Sequence, residues 1–153
     1  METLYFDDLR VGARYDLGVV SFTEDEIIAF ARAYDPQRVH TDRAHAEGSQ
    51  FGGIIASGFQ TLLVSFRLVH AADIWNAASM GSPGFDELRW LHPVRPGDTL
   101  SVRGEVLEVR ESGSRDDRGY VKFLYSTVNQ DGVTVMTWLA NQILARRPPE
   151  DGA

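Results

Sequence analysis

Ser57-Gly58-Phe59-Gln60-Thr61-Leu62-Leu63-Val64-Ser65-Phe66-Arg67-Leu68-Val69-His70-Ala71-Ala72 is the stretch that decides how this chain folds. Its Ser-x-x-Gln opening is the carboxamide form of a capping box, in which a hydroxyl and a side chain three residues later satisfy the free amides of a helix start. Phe59, Leu62, Leu63, Val64, Phe66, Leu68 and Val69 then point in most directions around a helix. A helix apolar nearly all round is a buried one, so the spacing predicts a buried helix over 57–72. Beyond it the hydrophobic period shortens to that of strands. Residues 85–90, 99–110, 119–128 and 133–144 read as strands, most clearly in the alternation of Val121, Phe123, Tyr125 and Thr127. Pro96-Gly97-Asp98 and Asn129-Gln130-Asp131-Gly132 supply turns, and a phase change between Val106 and Leu107 marks a bulge.

Upstream of the helix, 12–22 reads as a short strand. Thr23-Glu24-Asp25-Glu26 is a second capping box, followed by Ile27, Phe30, Ala31 and Tyr34 along one helical face. Pro36 disfavours helical backbone at Asp35, which places Asp35 at the junction of helix and loop. Residues 36–56 read as irregular chain broken by Gly48, Gly52 and Gly53, and a long ordered loop usually has a function. One strand, a surface helix, a long loop, a buried helix and four long antiparallel strands make an α+β fold, a sheet wrapped around one helix.

The 153 residues are the size of one domain, so 1–153 is read as a single unit, with a frayed tail from about Arg146. A hydrophobic fraction of 43% against 24% charged residues is that of a globular protein. No apolar run approaches the roughly 20 residues of a membrane span. Glu2, Asp7 and Asp8 occupy the place where a secretion signal carries basic residues. With no cysteine there is no disulfide, thiolate metal site or thiol nucleophile, which fits a reducing cytoplasm. A net charge of −7 repels a phosphate backbone, so nucleic acid is not expected as a partner.

Asp35 and His40 stand at the mouth of the long loop, and the buried helix opens at Ser57. A carboxylate and an imidazole that hold one water can share its proton transfers near neutral pH. The first-turn amides of a helix have no intrahelical acceptor, and Gly58, without a side chain, lets a substrate carbonyl approach its N–H. Each residue also has a purely structural explanation. Ser57 and Gln60 can simply cap, Gly58 can serve tight packing, and Gly52-Gly53 can be a turn. His40 and His45 with Asp42 or Glu47 fit no standard zinc spacing, so no metal is expected. His70 and His92 are read as partly exposed edge residues.

Asp35-Pro36-Gln37-Arg38-Val39-His40-Thr41-Asp42, followed by Phe51-Gly52-Gly53-Ile54-Ile55-Ala56-Ser57-Gly58, resembles the signature of the MaoC-like acyl dehydratases and (R)-specific enoyl-CoA hydratases. Softer likeness lies in Tyr5-Phe6-Asp7-Asp8-Leu9-Arg10-Val11-Gly12 and in Val94-Arg95-Pro96-Gly97-Asp98. The resemblance implies the hotdog fold, a curved antiparallel sheet around a central helix. It also implies a hydratase/dehydratase of 2-enoyl thioesters, with coenzyme A or an acyl carrier protein as part of the substrate and no separate cofactor. Asp35 and His40 match the catalytic pair, Gly58 matches the glycine whose amide holds the thioester carbonyl, and Ser57 and Gly53 accompany it in the substrate site. Gln37 stands where the commonest signature has Asn, Arg38 where it has Pro, and Ser57 where it often has His. Arg38 is expected to point to solvent, as exposed arginines usually do.

Two other readings compete. A hotdog thioesterase directs water at the carbonyl carbon from a carboxylate on the central helix, and residues 58–70 contain no Asp or Glu. A non-catalytic protein of this fold would keep the acyl-thioester pocket without turnover. A small open sheet also leaves an edge uncovered, and the family forms dimers with substrate tunnels at the interface, so at least a homodimer is expected. Trp75, Met80, Phe85 and Trp90 are candidates for closing the acyl tunnel.

Overall fold

The computed structural model describes residues 2–150. A 3-10 turn (Phe6–Asp8) precedes β1 (Arg14–Ser21), α1 (Glu24–Tyr34), α2 (Arg38–Thr41), α3 (Arg43–Glu47) and α4 (Gly58–Ala71). A second 3-10 turn (Asn76–Ala78) leads into β2 (Gly84–Trp90), β3 (Thr99–Glu111), β4 (Arg118–Val128) and β5 (Thr134–Ala145). The strands form one antiparallel sheet in the order β1-β3-β4-β5-β2. The two hairpins of β3, β4 and β5 fill its middle, leaving β1 and β2 as edges. On β4, Gly119, Val121, Phe123, Tyr125 and Thr127 are buried in strict alternation, as the sequence pattern requires. The bulge expected between Val106 and Leu107 is present in β3 as a register shift between Val106 and Glu108.

α4 lies across the inner face of the sheet against β1 and β3, and Ser65 reaches Thr127 of β4 at 2.9 Å. An open sheet covers only one side of a helix, which corrects the expectation of burial all round. Leu62 and Val69 are buried, whereas Phe59 and Leu63 are 53% and 54% exposed. The box at Thr23 forms as expected, with Thr23 Oγ1 accepting from the Glu26 amide and Glu26 Oε1 accepting from the Thr23 amide. The second box does not. Ser57 Oγ accepts from the Phe59 amide, but Gln60 turns away and its Nε2 donates to the Glu26 carbonyl of α1. The 36–56 segment is less irregular than expected, since it contains α2 and α3. Among the described residues, no helix is long and apolar enough to cross a membrane.

The expected fraying is corrected at Arg146 and Arg147, while the end of that tail, 151–153, lies outside the described residues. The Arg146 amide donates to the Asp117 carbonyl, and its guanidinium binds Asp7 and Glu111 while covering the Phe6 ring at 5.1 Å. The Arg147 amide donates to Asp7, and its guanidinium pairs with Glu2 and Asp8. Phe6 can lie flat on the sheet because Gly119 has no side chain: a Cβ there would come within 2.2 Å of the ring. Charge complementarity between the two ends of the chain, invisible to local pattern, thus closes one end of the sheet.

Hydrogen bonds from the Arg147 amide and the Arg146 guanidinium outweigh burial and hold the Asp7 carboxyl below its ordinary value. A depressed folded-state pKa stabilises at neutral pH and stops doing so as pH falls through that pKa. Urea midpoints of the wild type and Asp7→Asn should therefore differ at neutral pH and converge below the ordinary carboxylate range of about 4. A gap that persists in acid would assign the effect to packing instead.

Candidate active site

α1 ends at Asp35, whose backbone leaves the helical region (φ −149°, ψ 70°) before Pro36. This turns the carboxylate toward the start of α4. Ser57 Oγ donates to Asp35 Oδ2 at 2.7 Å, and Gln37 Nε2 donates to Oδ1 at 2.7 Å. His40, buried on α2, approaches the same Oδ2 with Nε2 at 3.4 Å. Its other nitrogen, Nδ1, lies 2.7 Å from the Ile55 carbonyl. A carbonyl can only accept, so Nδ1 carries a proton, and whenever the ring is neutral it is Nε2 that presents a lone pair. The Ile55 amide in turn donates to the Val39 carbonyl, so the two sides of the loop are zipped together where the imidazole must be held.

Burial pushes the Asp35 carboxyl up, but the hydrogen bonds from Gln37 and Ser57, with the charge of His40, outweigh it and hold the group below its ordinary value. Asp35 is therefore ionised near neutral pH. With the ring in its neutral form, Oδ2 and Nε2 are two acceptors facing one another, an arrangement that calls for a shared proton or for a water donating to both.

Asp35, Gln37 and His40 border a cavity of about 430 Å³ whose walls include Phe51, Ala56, Gly58, Thr61, Trp90 and Val135. The Gly58 N–H, first of α4, has no acceptor among the described residues. A Cβ at Gly58 would stand 2.4 Å from both Nε1 and Cε2 of Trp90 and 2.8 Å from Cδ1. A point at those distances lies above the ring face, so the indole is stacked flat on the glycine. Gly58 is thus required by packing, and it also lines the same cavity as Asp35 and His40. The two explanations of this glycine are compatible.

Of the residues expected in the site, Asp35, His40, Ser57 and Gly58 are brought together. Gly53 lies in the turn after Phe51 and does not line the cavity. Arg38 points to solvent and pairs with Asp42 at 3.1 Å, and Asp42 also caps α3 through the His45 amide. His92 is exposed beside the edge strand β2, as expected, and also borders the cavity, as do Gln37 and Thr61, which were not singled out as site residues. Of the four expected tunnel residues only Trp90 lines this cavity, whereas Trp75 is core, stacked on Phe123 at 4.6 Å. Thr61 could have been found in the sequence, because it follows Ser57 by four residues and so shares its helical face.

The family model for the MaoC-like domain matches residues 10–124. The Bacillus subtilis protein YdeM is 33% identical over 129 residues, which are 84% of this chain and 90% of that protein. The MaoC-like dehydratase from Rhodospirillum rubrum has a TM-score of 0.87 at 38% identity, over 95% of this chain and 99% of that one. The unliganded R-hydratase PhaJ1 from Pseudomonas aeruginosa has a TM-score of 0.69 at 28% identity, over 99% and 97% of the two chains. The sheet wrapped around α4 is the hotdog fold.

Ser57→Ala removes one donor to the ionised form of Asp35, and losing a hydrogen bond to the charged form raises a carboxyl pKa. Carbon-detected NMR titration of Asp35 should show its midpoint moving up in Ser57→Ala and again in Ser57→Ala/Gln37→Ala. An unmoved midpoint would show that these two bonds do not hold the charge.

Proposed function

Since the chain belongs to the MaoC-like domain family, we propose that it is a hydro-lyase acting on the C2–C3 bond of an acyl thioester carried on coenzyme A or an acyl carrier protein. The observation that carries this reading is the Asp35–His40 pair, 3.4 Å apart, beside the free Gly58 amide in one cavity. The likeness to a dehydratase and to an R-hydratase supports it.

The chemistry follows from the lone pairs. A water between Asp35 Oδ2 and His40 Nε2 donates one O–H to each and turns its own lone pair into the cavity. With the thioester carbonyl oxygen on the Gly58 N–H, the double bond lies against that water. Oxygen adds to C3, one proton passes to the pair, and the electrons of the double bond move onto the carbonyl oxygen as an enolate. The helix-start amide, with its partial positive charge, stabilises that oxygen. The pair then returns a proton to C2 on the same face, so the atoms of water are added and the dyad is restored. Asp35 and His40 act as one coupled unit in both transfers. Ser57 and Gln37 hold the carboxylate and leave Oδ2 aimed at Nε2. A carbonyl-directed attack would need a carboxylate on α4, and Gly58–Ala71 contains none.

The same reading covers the open side of the cavity with a second copy of the chain. Phe59, Leu63 and Phe66 of α4 and Phe85, Trp90 and Leu91 around β2 are exposed, and Phe59, Trp90 and Leu91 also wall the cavity. An apolar surface that continues into a polar site is costly in water and is closed by a partner face.

Absorbance at the enoyl-thioester band should fall when the wild type meets crotonyl-CoA, and Asp35→Asn should be slower by about 100- to 10,000-fold. Near-normal turnover by the variant would remove Asp35 from the dyad, and binding of the thioester without turnover would favour a non-catalytic protein. Light scattering should give a dimer or larger for the wild type and a smaller species for Leu63→Glu. A wild-type monomer would refute the covered face.

A further inference from the structure

The inner face of α4 carries a hydroxyl every fourth residue, at Ser57, Thr61 and Ser65, and none of the three is more than 2% exposed. Four residues advance a helix by slightly more than one turn, so the hydroxyls stand in a row about 6 Å apart. The outer two have side-chain partners. Ser57 donates to Asp35 at 2.7 Å, and Ser65 meets Thr127 at 2.9 Å. The Thr61 hydroxyl has no partner among the described residues. A helical threonine ordinarily bonds the carbonyl four residues back, but the Ser57 carbonyl already accepts from the amides of Gln60 (3.0 Å) and Thr61 (3.2 Å).

Thr61 borders the cavity of the dyad, where its neighbours include the apolar side chains of Ile55, Ala56, Val94 and Val135. A valine would fill the same shape, so an unpartnered hydroxyl on the wall of the cavity points to a partner that arrives with the ligand. The dyad holds the reacting carbon at the Ser57 end of the row, and Thr61 lies one turn further along. An oxygen on the next carbon of the acyl group stands about 2.4 Å from C3, and a hydrogen bond adds about 2.8 Å, together close to one helical turn. The partner is neutral: Asp35 shares the cavity, and no Lys or Arg stands among the residues that line it.

We propose that the Thr61 hydroxyl is a specificity contact for a hydroxyl or keto oxygen on C4 of the acyl group, so that the preferred substrate is a short oxygen-bearing acyl thioester. This rests on the acyl-thioester reading of the site.

The test is calorimetric binding of two saturated thioesters, butyryl-CoA and 4-hydroxybutyryl-CoA, to the wild type, Thr61→Val and Thr61→Ser, each first shown to melt like the wild type. The wild type should bind the hydroxylated thioester about 5- to 10-fold more tightly. Thr61→Val should bring that ratio to about one while keeping its affinity for butyryl-CoA, and Thr61→Ser should preserve the preference. A ratio unchanged in Thr61→Val, or an equal loss for both thioesters, would overturn the proposal by making Thr61 a structural residue. Equal binding of both by the wild type would overturn it while leaving the thioester reading standing. Binding of neither would remove the thioester reading, and this proposal with it.

Discussion

One hydroxyl joins the two halves of the site. Ser57 Oγ has a single proton and two lone pairs; the proton goes to Asp35 Oδ2, and a lone pair takes the Phe59 amide. The same atom therefore caps α4 and fastens its start to the end of α1, which are 22 residues apart in the chain. The rest of the site follows from that bond. Oδ2 is drawn inward to face His40, Gln37 takes Oδ1, and the Gly58 amide next to the cap is left without an acceptor. Its counterpart on the imidazole is the Ile55 carbonyl, which by accepting from Nδ1 decides which nitrogen is bare in the neutral ring.

α4 holds two unlike faces in register. Its inner face is a column of hydroxyls set among apolar side chains, directed at Asp35, at the cavity and at Thr127. Its outer face is apolar and open, because a five-stranded sheet that is not closed covers a helix from one side only. Trp90 connects the two, lying flat on Gly58 while packing edge-on against Phe59 at 5.4 Å. That stacking excludes any side chain at the first residue of α4.

Much of the fold was legible because it depends on short-range periodicity. The alternation on β4 predicts a strand with one buried face, since residues two apart share a face whatever lies opposite. The Thr23 box formed because both of its partners are within one turn. The Val106 bulge was visible as a break in the same alternation. Asp35 and His40 were legible as candidates for the same local reason, namely a proline that ends a helix and a histidine five residues on.

What failed to show depends on neighbours distant in sequence. Gln60 satisfies the capping pattern, yet it is captured by α1, a helix the pattern does not contain. Arg146 and Arg147 look like a solvated tail until the opposite end of the chain brings Asp7 and Asp8 beneath them. The apolar circumference of α4 promises complete burial, but how many sides are covered is a property of the sheet. The sequence by itself determined the elements, their order and the chemical types at the site, because hydrophobic period, caps and breakers act within a few residues. Only the tertiary structure decided which oxygen of Asp35 faces His40, which nitrogen of His40 is bare and which hydroxyl of α4 remains unpaired. Each of these is a choice among hydrogen-bond partners that folding alone brings within 3 Å or so of one another.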